Sequence, residues 1–395
     1  MKNQRKRILI VNRYFHLGGI QSSLINMANE LCKEYDVDVL AYYPEGILKK
    51  RLDPKVGVIK ASWPICAMGM SPGEALRSNN PFLFMFRIVG SVWARVFDNR
   101  LPIFIATKLQ RKLKGYDLAI AYRAETRKKV ITSGYVRFID RCVEAKKKVV
   151  WIHYDANTLE NSRSFNEKYY KNIDKIIGVS QSVMKAFELG SPNLKRKMDY
   201  CYNFLDYKSI CLKAEKQMDI EYPEKSFVCF SACRLSEEKG IIRGLFAIEK
   251  TLKENDDVYW YIAGDGPERE KIENTINELN LNGKVVLLGN LTNPYPYIKH
   301  ADLYLSLSFH EAAPMVYKEA KALHIPIFST KTLSSEEMLR NGREDFICGN
   351  SEKDIKEKFN EIIKNRESVF RAKINLENYS GSNEESLKKL SEMLE

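Results

Sequence analysis

The sequence predicts an α/β protein of two domains, each built on a parallel β-sheet. Its 395 residues are too many for one hydrophobic core and suit two domains of ordinary size. Short apolar runs of strand length alternate with segments of helical period, as in βαβ units. The alternation restarts with Phe227–Cys233, after a polar stretch at 207–225 that lacks a strong period. The sequence therefore predicts two similar domains in series.

The composition narrows the class of protein. Hydrophobic residues make up 44% of the chain and charged residues 29%, which is typical of a soluble globular protein. The eight cysteines show no Cys-x-x-Cys or metal spacing, so reduced thiols in a cytosolic protein are expected. Basic residues precede Ile8–Val11, but that apolar run is too short for a signal peptide. These observations predict a cytoplasmic protein.

Charge divides the chain into two unlike halves. Residues 1–200 contain 36 Lys and Arg against 18 Asp and Glu, whereas residues 201–395 contain 27 against 33. A basic half is expected to meet an anionic partner. No zinc finger, RNP-like aromatic pattern or recognition helix supports nucleic acid. The charge therefore favours an anionic membrane face or a lipid-diphosphate acceptor over nucleic acid.

The first domain begins with a buried strand at Arg7–Val11, a turn, and a helix from about Ile20 to Glu34. Gly18 and Gly19 lie in that turn, where glycine lets the backbone approach a ligand closely. Many such turns carry glycine for steric reasons alone, so the pair is a weak signal. Further strands are predicted at 37–43, 56–60, 117–122, 148–153 and 175–180, with a helix at 181–189.

Residues 81–114 differ in kind from the rest of the first domain. Aromatic and aliphatic residues there are mixed with Arg87 and Arg95, which interrupt the apolar run and argue against a membrane-spanning helix. One or two amphipathic helices are predicted. They could lie in a membrane interface or pack on the sheet, and the basic run from Lys108 to Lys114 favours the membrane.

His153 ends the strand at 148–153. The carboxyl end of a parallel strand is the edge where open α/β sheets bind ligands. A buried structural histidine is the ordinary alternative, but this placement favours a role in a site.

A loop with two cations opens the second domain. The strand Phe227–Cys233 runs into Arg234 and Lys239, and a helix follows from about Ile242 to Glu254. Two fixed cations beside the N–H groups of a helix start suit a diphosphate leaving group. The ordinary alternative is an exposed charged turn. Later elements are predicted at 258–263, 268–279, 285–288, 295–300, 355–363 and 386–394.

The stretch 303–328 has the pattern of strand, polar loop, helix and strand. Leu303, Leu305 and Leu307 alternate with polar residues, and the helix is predicted from Met315 to Leu323. Pro314 suits the first turn of that helix. Glu311 and Glu319 could accept hydrogen bonds from vicinal hydroxyls, although two solvated carboxylates are the ordinary alternative. Backbone N–H groups nearby could meet a phosphate or a sugar hydroxyl, namely those of Ala312, Ala313, Met315 and Val316.

Several of these motifs together resemble a known family. The Glu311-x7-Glu319 spacing, the Arg-Leu-x-x-x-Lys-Gly run at 234–240 and the Gly-x-Gly-Pro turn at 264–267 resemble retaining glycosyltransferases of family 4. The resemblance implies the GT-B fold, in which two Rossmann-like domains with parallel sheets face each other across a cleft. It implies His153 and Glu311 as catalytic residues. The donor-binding residues that it implies are Gly18, Gly19, Arg234, Lys239, Ala312, Ala313, Met315, Val316 and Glu319.

The resemblance also implies a function. A UDP- or GDP-sugar would be the substrate, with neither cofactor nor metal, and a glycan or lipid-linked saccharide would be the acceptor. The role would be surface or capsular polysaccharide biosynthesis. The basic first half adds the expectation of peripheral contact with the inner face of the membrane. Two alternatives are a non-catalytic sugar-nucleotide-binding subunit and a sugar-nucleotide epimerase of GT-B shape. No nucleic-acid partner is expected.

The domain boundaries follow from the same pattern. They are predicted as 1–205 for an acceptor-side domain, 206–225 for a hinge, 226–370 for the nucleotide-sugar domain and 371–395 for a tail that packs back on the first domain. The sequence departs from the family at Ala312-Ala313, where Gly-Phe is usual, and at 330–335, where Gly-Gly-x-x-Glu is common. These departures leave the sugar and base of the donor open.

Overall fold

The chain forms two compact units in a computed structural model, which describes residues 5–126, 129–155, 162–339 and 346–395. The first unit contains Met1–Leu205 together with Asn383–Glu395, and the second contains Asp206–Ser382. Each unit has its own sheet, and the strand pairs within both sheets are parallel. The prediction of an α/β protein with two parallel sheets is confirmed.

The sheet of the first unit has seven strands in the order β3-β2-β1-β4-β5-β6-β7. Its central strand β1 pairs with β2 and β4, so that Ile10 lies between Val39 and Ile120. Helices cover both faces of such a strand, which is why it reads as a continuous apolar run. The strands are β1 Arg7–Asn12, β2 Asp36–Ala41, β3 Gly57–Lys60, β4 Leu113–Ala121, β5 Val143–Ile152, β6 Lys175–Gly178 and β7 Met198–Tyr200.

The helices of the first unit connect these strands, and the last of them comes from the chain's C-terminus. The helix after β1 buries Leu24, Ile25 and Leu31, which recur at helical spacing. The helices are α1 Gly19–Leu31, α2 Trp63–Gly69, α3 Pro72–Arg77, α4 Pro81–Val96, α5 Arg100–Lys108, α6 Tyr135–Cys142, α7 Arg163–Tyr169, α8 Gln181–Gly190 and α17 Glu384–Leu394.

The sheet of the second unit has six strands in the order β10-β9-β8-β11-β12-β13. Taken from its own first strand, this is the doubly wound order 3-2-1-4-5-6 of dinucleotide-binding folds. The core includes Trp260, Leu305 and Phe328, all within the sheet. The strands are β8 Phe227–Ala232, β9 Val258–Ala263, β10 Val285–Gly289, β11 Leu303–Ser306, β12 Ile327–Thr330 and β13 Phe346–Cys348.

Eight helices of the second unit lie within the described residues. The longest helices bury a stripe of apolar side chains, as Leu245, Ile248 and Leu252 do on the helix that follows β8. The helices are α9 Tyr207–Ala214, α10 Ile241–Glu254, α11 Arg269–Glu278, α12 Tyr295–Lys299, α13 Met315–Ala322, α14 Ser335–Leu339, α15 Glu352–Lys364 and α16 Arg366–Leu376.

The segment predicted as a hinge, 206–225, contains helix α9, which belongs to the second unit. Asp206 caps this helix by accepting a hydrogen bond from the Ser209 N–H at 3.0 Å. Ile210 and Ala214, one turn apart, are buried. Two apolar residues at that spacing are enough for a short helix once a neighbouring surface covers them, although they show no strong period in the sequence.

The predicted tail at 371–395 divides between the two units. Helix α16 spans the expected boundary at 370 and buries Val369, Ala372 and Leu376 in the second unit. Helix α17 packs in the first unit, where Asn383 Nδ2 donates to the Leu205 carbonyl at 2.7 Å. The amphipathic period of each helix, rather than the polar residues between them, determines where the chain divides.

The region predicted to be amphipathic forms two helices, α4 and α5. No helix within the described ranges is long and apolar enough to cross a membrane.

Candidate active site

The strand order places a ligand-binding edge in each sheet. Where the order reverses, the loops that leave the first and fourth strands diverge and leave an opening at the carboxyl edge. In the second unit these strands are β8 and β11. Lys239 follows β8 and Glu311 follows β11, so the topology brings the two predicted motifs to one place.

Lys239 and Glu311 form an ion pair at this edge. The distance from Lys239 Nζ to Glu311 Oε1 is 2.6 Å, and Ser308 Oγ donates to the same oxygen at 2.8 Å. The side chains keep 23% and 14% of their exposure, respectively. The pair is thus shielded enough to be strong and open enough to meet a ligand.

The environment of Lys239 favours its charged form. Burial alone would lower the pKa of Lys239, but the contact with Glu311 and the nearby Glu238 together outweigh burial and raise the pKa above its ordinary value. Lys239 therefore stays cationic over the physiological range. An ammonium with further N–H groups beyond the one given to Glu311 can still bind an oxyanion.

Gly240 fixes the distance between the two loops. Its φ is +65°, a left-handed conformation that favours glycine, and a Cβ there would lie 2.2 Å from the carbonyl oxygen of Leu307. The Phe309 N–H also donates to the Glu238 carbonyl at 2.9 Å. The glycine of the Lys-Gly motif is thus required for the close approach that lets Lys239 reach Glu311.

Arg234 lies on the same loop as Lys239, with its side chain exposed. The Gly-x-Gly-Pro turn after β9 supports this part of the loop. A Cβ on Gly264 would lie 1.8 Å from the Cys233 carbonyl oxygen, and a Cβ on Gly266 would lie 2.2 Å from that of Leu235. The two glycines therefore allow the turn after β9 to pack closely against the loop after β8, and this packing positions the backbone of Arg234.

The predicted backbone donors lead into helix α13. Pro314 precedes the helix rather than lying in its first turn, and Met315 and Val316 are its first residues. The first N–H groups of a helix have no partner within the helix. Ala312 and Ala313 lie just before them and are partly buried.

Glu319 lies on α13, one turn beyond Met315. Its Oε1 accepts a hydrogen bond from the Tyr295 hydroxyl at 3.3 Å. Tyr295, the first residue of α12, was not predicted from the sequence as a site residue. An isolated tyrosine in a short helix carries no signal of this contact.

Arg243 is a second residue that the sequence did not single out. From the first turn of α10, its Nη2 donates to the Leu307 carbonyl at 2.6 Å, and its Cζ lies 3.7 Å from the ring centre of Phe309. Asn350 joins the same network by donating to the Phe309 carbonyl at 3.0 Å. These contacts hold the loop that carries Glu311, and only the tertiary structure reveals them.

The loop at 330–335 connects β12 to α14. The Thr332 N–H donates to Ser335 Oγ at 2.9 Å, and Lys331 pairs with Glu336 at 3.0 Å. The part of this region at 340–345 lies outside the described residues.

In the first unit, Gly18 and Gly19 begin helix α1 and are exposed. Gly18 has extended backbone, and a Cβ there would meet only the flexible end of Gln21, at 2.6 Å. Unlike Gly240, Gly18 is not required by the local backbone. A contact with a ligand would be a reason for its presence.

His153 directly follows β5 and lies against Tyr122, with ring centres 4.4 Å apart. Its Nε2 is shielded from solvent and has no hydrogen-bond partner among the described residues. Burial, with a smaller effect of the Arg123 charge, lowers the pKa of His153 to about 3. The imidazole is therefore neutral at physiological pH.

Tyr122 connects His153 to helix α1. Its hydroxyl lies 2.9 Å from Ser23 Oγ, which in turn donates to Asn203 Oδ1 at 3.0 Å. Asn203 lies just before the end of the first segment of this unit and anchors it to α1. Tyr122 thus contacts the predicted site residue His153, and the sequence did not single it out because its burial gives it the pattern of a core residue.

Comparison with known proteins finds a family match that lies within the second unit. Residues 213–378 match a family model described as glycosyl transferases group 1. An uncharacterized glycosyltransferase of Methanocaldococcus jannaschii is 25% identical over 64% of this chain and 62% of its own length. A lipopolysaccharide core biosynthesis glycosyltransferase of Rhizobium meliloti is 31% identical over 36% of this chain. The chain thus spans 62% and 39% of the lengths of these two relatives.

Solved structures extend the likeness to the whole fold. Anabaena HepE, in a complex with UDP and glucose, superposes with a TM-score of 0.68 over 99% of both chains at 19% sequence identity. At that identity the likeness shows the fold alone. The predicted GT-B fold and the resemblance to glycosyltransferases are confirmed.

Proposed function

We propose that this protein is a retaining glycosyltransferase, because residues 213–378 match the family model described as glycosyl transferases group 1. It moves a sugar from a nucleotide diphosphate sugar to a glycan or lipid-linked saccharide in surface polysaccharide biosynthesis. The observation that carries the proposal is the Lys239–Glu311 pair at the switch point of a doubly wound sheet. Relatives named for lipopolysaccharide core and O-antigen biosynthesis support the choice of acceptor class.

The donor's diphosphate is the natural partner of the cations. Lys239 and Arg234 neutralise the charge that builds on the leaving group, with the first N–H groups of α13 at Met315 and Val316 as further donors. With two cations at hand, the reaction is proposed to need no metal. UDP is the favoured nucleotide, since HepE binds UDP in its structure.

The two carboxylates are proposed to hold hydroxyl groups. Among the described residues, Glu311 receives its hydrogen bonds from Lys239 and Ser308 on Oε1, which leaves Oε2 for a hydroxyl of the donor sugar. Glu319 accepts from the ribose hydroxyls. The neutral His153 is proposed to lie near the reacting carbon, where an uncharged imidazole can bond to a hydroxyl without repelling the cationic transition state.

The reaction then balances without a separate base. The bond between the anomeric carbon and the diphosphate oxygen breaks, and the acceptor oxygen bonds to the same face of that carbon. The departing diphosphate takes the proton of the acceptor hydroxyl. We propose a cytoplasmic protein in peripheral contact with the inner face of the membrane, where a lipid-linked acceptor would be presented.

A panel of nucleotide sugars tests the proposal. The purified protein is incubated with each sugar in EDTA, and nucleotide release is followed with and without acceptor. One donor should be turned over, and Glu311→Gln should abolish this turnover while Glu270→Gln, an exposed carboxylate on α11, leaves it unchanged. Binding without turnover in any mixture would instead indicate a supporting subunit, and conversion of the sugar without release would indicate an epimerase.

Binding and transfer can be separated by variant. Lys239→Ala and Glu319→Ala should weaken donor binding by roughly 10- to 100-fold, because each removes a hydrogen bond to a charged or polyhydroxyl group. His153→Ala should mainly slow transfer. Calorimetric titration of the same donor gives the affinities, and unchanged donor affinity in both Lys239→Ala and Glu319→Ala would contradict the site assignment.

A further inference from the structure

Helix α4 turns its apolar side to solvent. Five large apolar residues recur at spacings of three and four along this helix, which places them on one face. Each is between 57% and 68% exposed: Phe82, Met85, Val89, Val92 and Val96. A surface helix of a globular protein normally shows the opposite arrangement.

The opposite face of α4 is fixed against the protein. It buries Leu83, Arg87, Gly90 and Ala94. Arg87 Nε donates to the Met70 carbonyl at 2.7 Å, and a Cβ on Gly90 would lie 2.5 Å from Ile131 Cδ1. An anchored guanidinium and a tight glycine contact keep the helix from rotating, so its apolar face stays outward.

Helix α5 extends the apolar surface. A groove of about 360 Å³ runs between α4 and α5, and no charged side chain lines it. We call the exposed apolar residues of this region the α4–α5 apolar face: Phe82, Met85, Val89, Val92, Trp93, Val96, Phe97, Leu101, Phe104, Ile105 and Leu109. Six of these residues line the one groove, and an exposed apolar surface of this kind marks an interaction site on a soluble protein.

The charge around this face identifies its partner. Residues 60–116 contain nine Lys and Arg but only two acidic residues, Glu74 and Asp98. Asp98 is already hydrogen-bonded to Arg100 at 2.7 Å. Lys108, Arg111 and Lys112 follow the apolar face and are exposed. In a symmetric contact with a second copy of the chain, these cations would face the same cations and repel them. An anionic surface would attract them.

We propose that the α4–α5 apolar face inserts into the interface of an anionic lipid bilayer, with α4 parallel to the membrane plane. Aromatic and aliphatic side chains enter the acyl boundary while the cations meet lipid phosphates, which is how amphipathic helices bind membranes. At 16 residues, α4 is too short to span the bilayer. The proposal concerns a surface of the first unit and does not depend on the proposed reaction.

Tryptophan fluorescence offers a direct test. Trp63 and Trp93 are 46% and 38% exposed and line the groove, whereas Trp151 and Trp260 are buried. Vesicles of 30% phosphatidylglycerol in phosphatidylcholine should shift the emission to the blue and pellet with the full-length protein. Brominated acyl chains should quench the emission in wild type and less in Trp93→Phe. Vesicles of pure phosphatidylcholine should bind roughly 100-fold more weakly, and added salt should weaken binding to the anionic vesicles.

Two matched pairs of variants separate the face from general properties. Phe82→Ser with Val89→Ser and Val96→Ser should weaken vesicle binding at least tenfold. The control, Leu189→Ser with Leu212→Ser and Phe370→Ser, changes three apolar residues that are exposed elsewhere and should not weaken it. Lys108→Gln with Arg111→Gln and Lys112→Gln should weaken binding roughly 100-fold. The control, Lys171→Gln with Lys175→Gln and Lys185→Gln, removes the same charge from other exposed positions and should have little effect.

All of these substitutions are at exposed positions and should leave the fold intact. Thermal unfolding of each variant checks this. Equal binding by the apolar variant and wild type, or no binding by wild type, would overturn the proposal. Light scattering could instead show that wild type is a dimer, that the apolar variant is a monomer, and that neither binds vesicles. That result would assign the face to a second copy of the chain. Donor hydrolysis, measured in parallel without vesicles, reports on the proposed reaction separately.

Discussion

Each unit contains an ion pair shielded from solvent, and the two pairs differ in how completely the protein satisfies them. In the first unit, Arg137 Nη2 lies 2.9 Å from Glu125 Oε1, with side-chain exposures of 5% and 0%. Glu125 also accepts from Ser133 Oγ and from two backbone N–H groups, those of Gly134 and Arg137. In the second unit, Lys239 and Glu311 remain partly open.

The difference indicates which pair is structural and which is suited to a ligand. A fully buried carboxylate with at least four hydrogen bonds has no capacity left for a substrate. Its removal leaves the surrounding donors without an acceptor in the protein interior. A partly open pair with an oxygen and N–H groups to spare can exchange bonds with an incoming ligand. Burial and saturation together, rather than charge alone, distinguish the two.

The largest expected effect is on the structural pair. Glu125→Ala should lower the free energy of unfolding by about 3–5 kcal/mol, because it leaves Arg137 buried without its counter-charge. Urea unfolding of the full-length protein measures the loss. Glu144→Ala removes a carboxylate whose ion pair with Lys114 is exposed and should cost about 0.5 kcal/mol or less. Equal losses in the two variants would contradict the structural role of Glu125.

The next effect compares the two glycines at equivalent helix starts. Gly240→Ala should cost about 2–3 kcal/mol, since its φ of +65° and the 2.2 Å contact with the Leu307 oxygen both exclude a side chain. Gly18→Ala should cost about 1 kcal/mol or less, because only a flexible side chain must move. Thermal unfolding gives the order, and a donor-binding loss in Gly18→Ala without a stability loss would indicate that a ligand approaches there.

A smaller effect is expected for the coupling between Lys239 and Glu311. In a double-mutant cycle with Lys239→Met and Glu311→Gln, the coupling free energy should be about 1–2 kcal/mol, since the pair is only partly exposed. The same cycle on Lys250 and Glu254, whose side chains are 69% and 60% exposed, should give about 0.5 kcal/mol at most. Coupling as weak as in the exposed pair would mean that Lys239 and Glu311 do not interact in solution.

The smallest effect concerns the pH dependence of stability. It compares the neutral His153 of the first unit with the charged Lys239–Glu311 pair of the second unit. Below pH 6.5 the unfolded chain protonates His153, whereas the folded chain does so only near pH 3. Stability should therefore fall as pH falls through that window, by about 1 kcal/mol between pH 7 and 5.5. His153→Gln should lack this loss. If His153→Gln showed the same pH dependence of stability as wild type, the pKa of His153 would not be lowered by folding.

The sequence alone determined the fold class, and it predicted the two motifs that meet at one sheet edge. Parallel strands between helices produce apolar runs with a period that local chemistry reveals, as in β8, β9 and β11. The motifs at 234–240 and 311–319 are local too, because the loop residues and the helix start are adjacent in the chain. The ion pair between Lys239 and Glu311 could be expected only once both loops were assigned to one sheet edge.

The tertiary structure decided what depends on distant neighbours. Helix α9 lies in a segment whose sequence has no strong period, since one packed face is enough to stabilise it. Arg243, Tyr295 and Tyr122 take part through contacts more than twenty residues away in sequence. The outward direction of the apolar face of α4 is also a tertiary property: its amphipathic period fixes which residues share a face, and only packing against the rest of the unit fixes which face is buried.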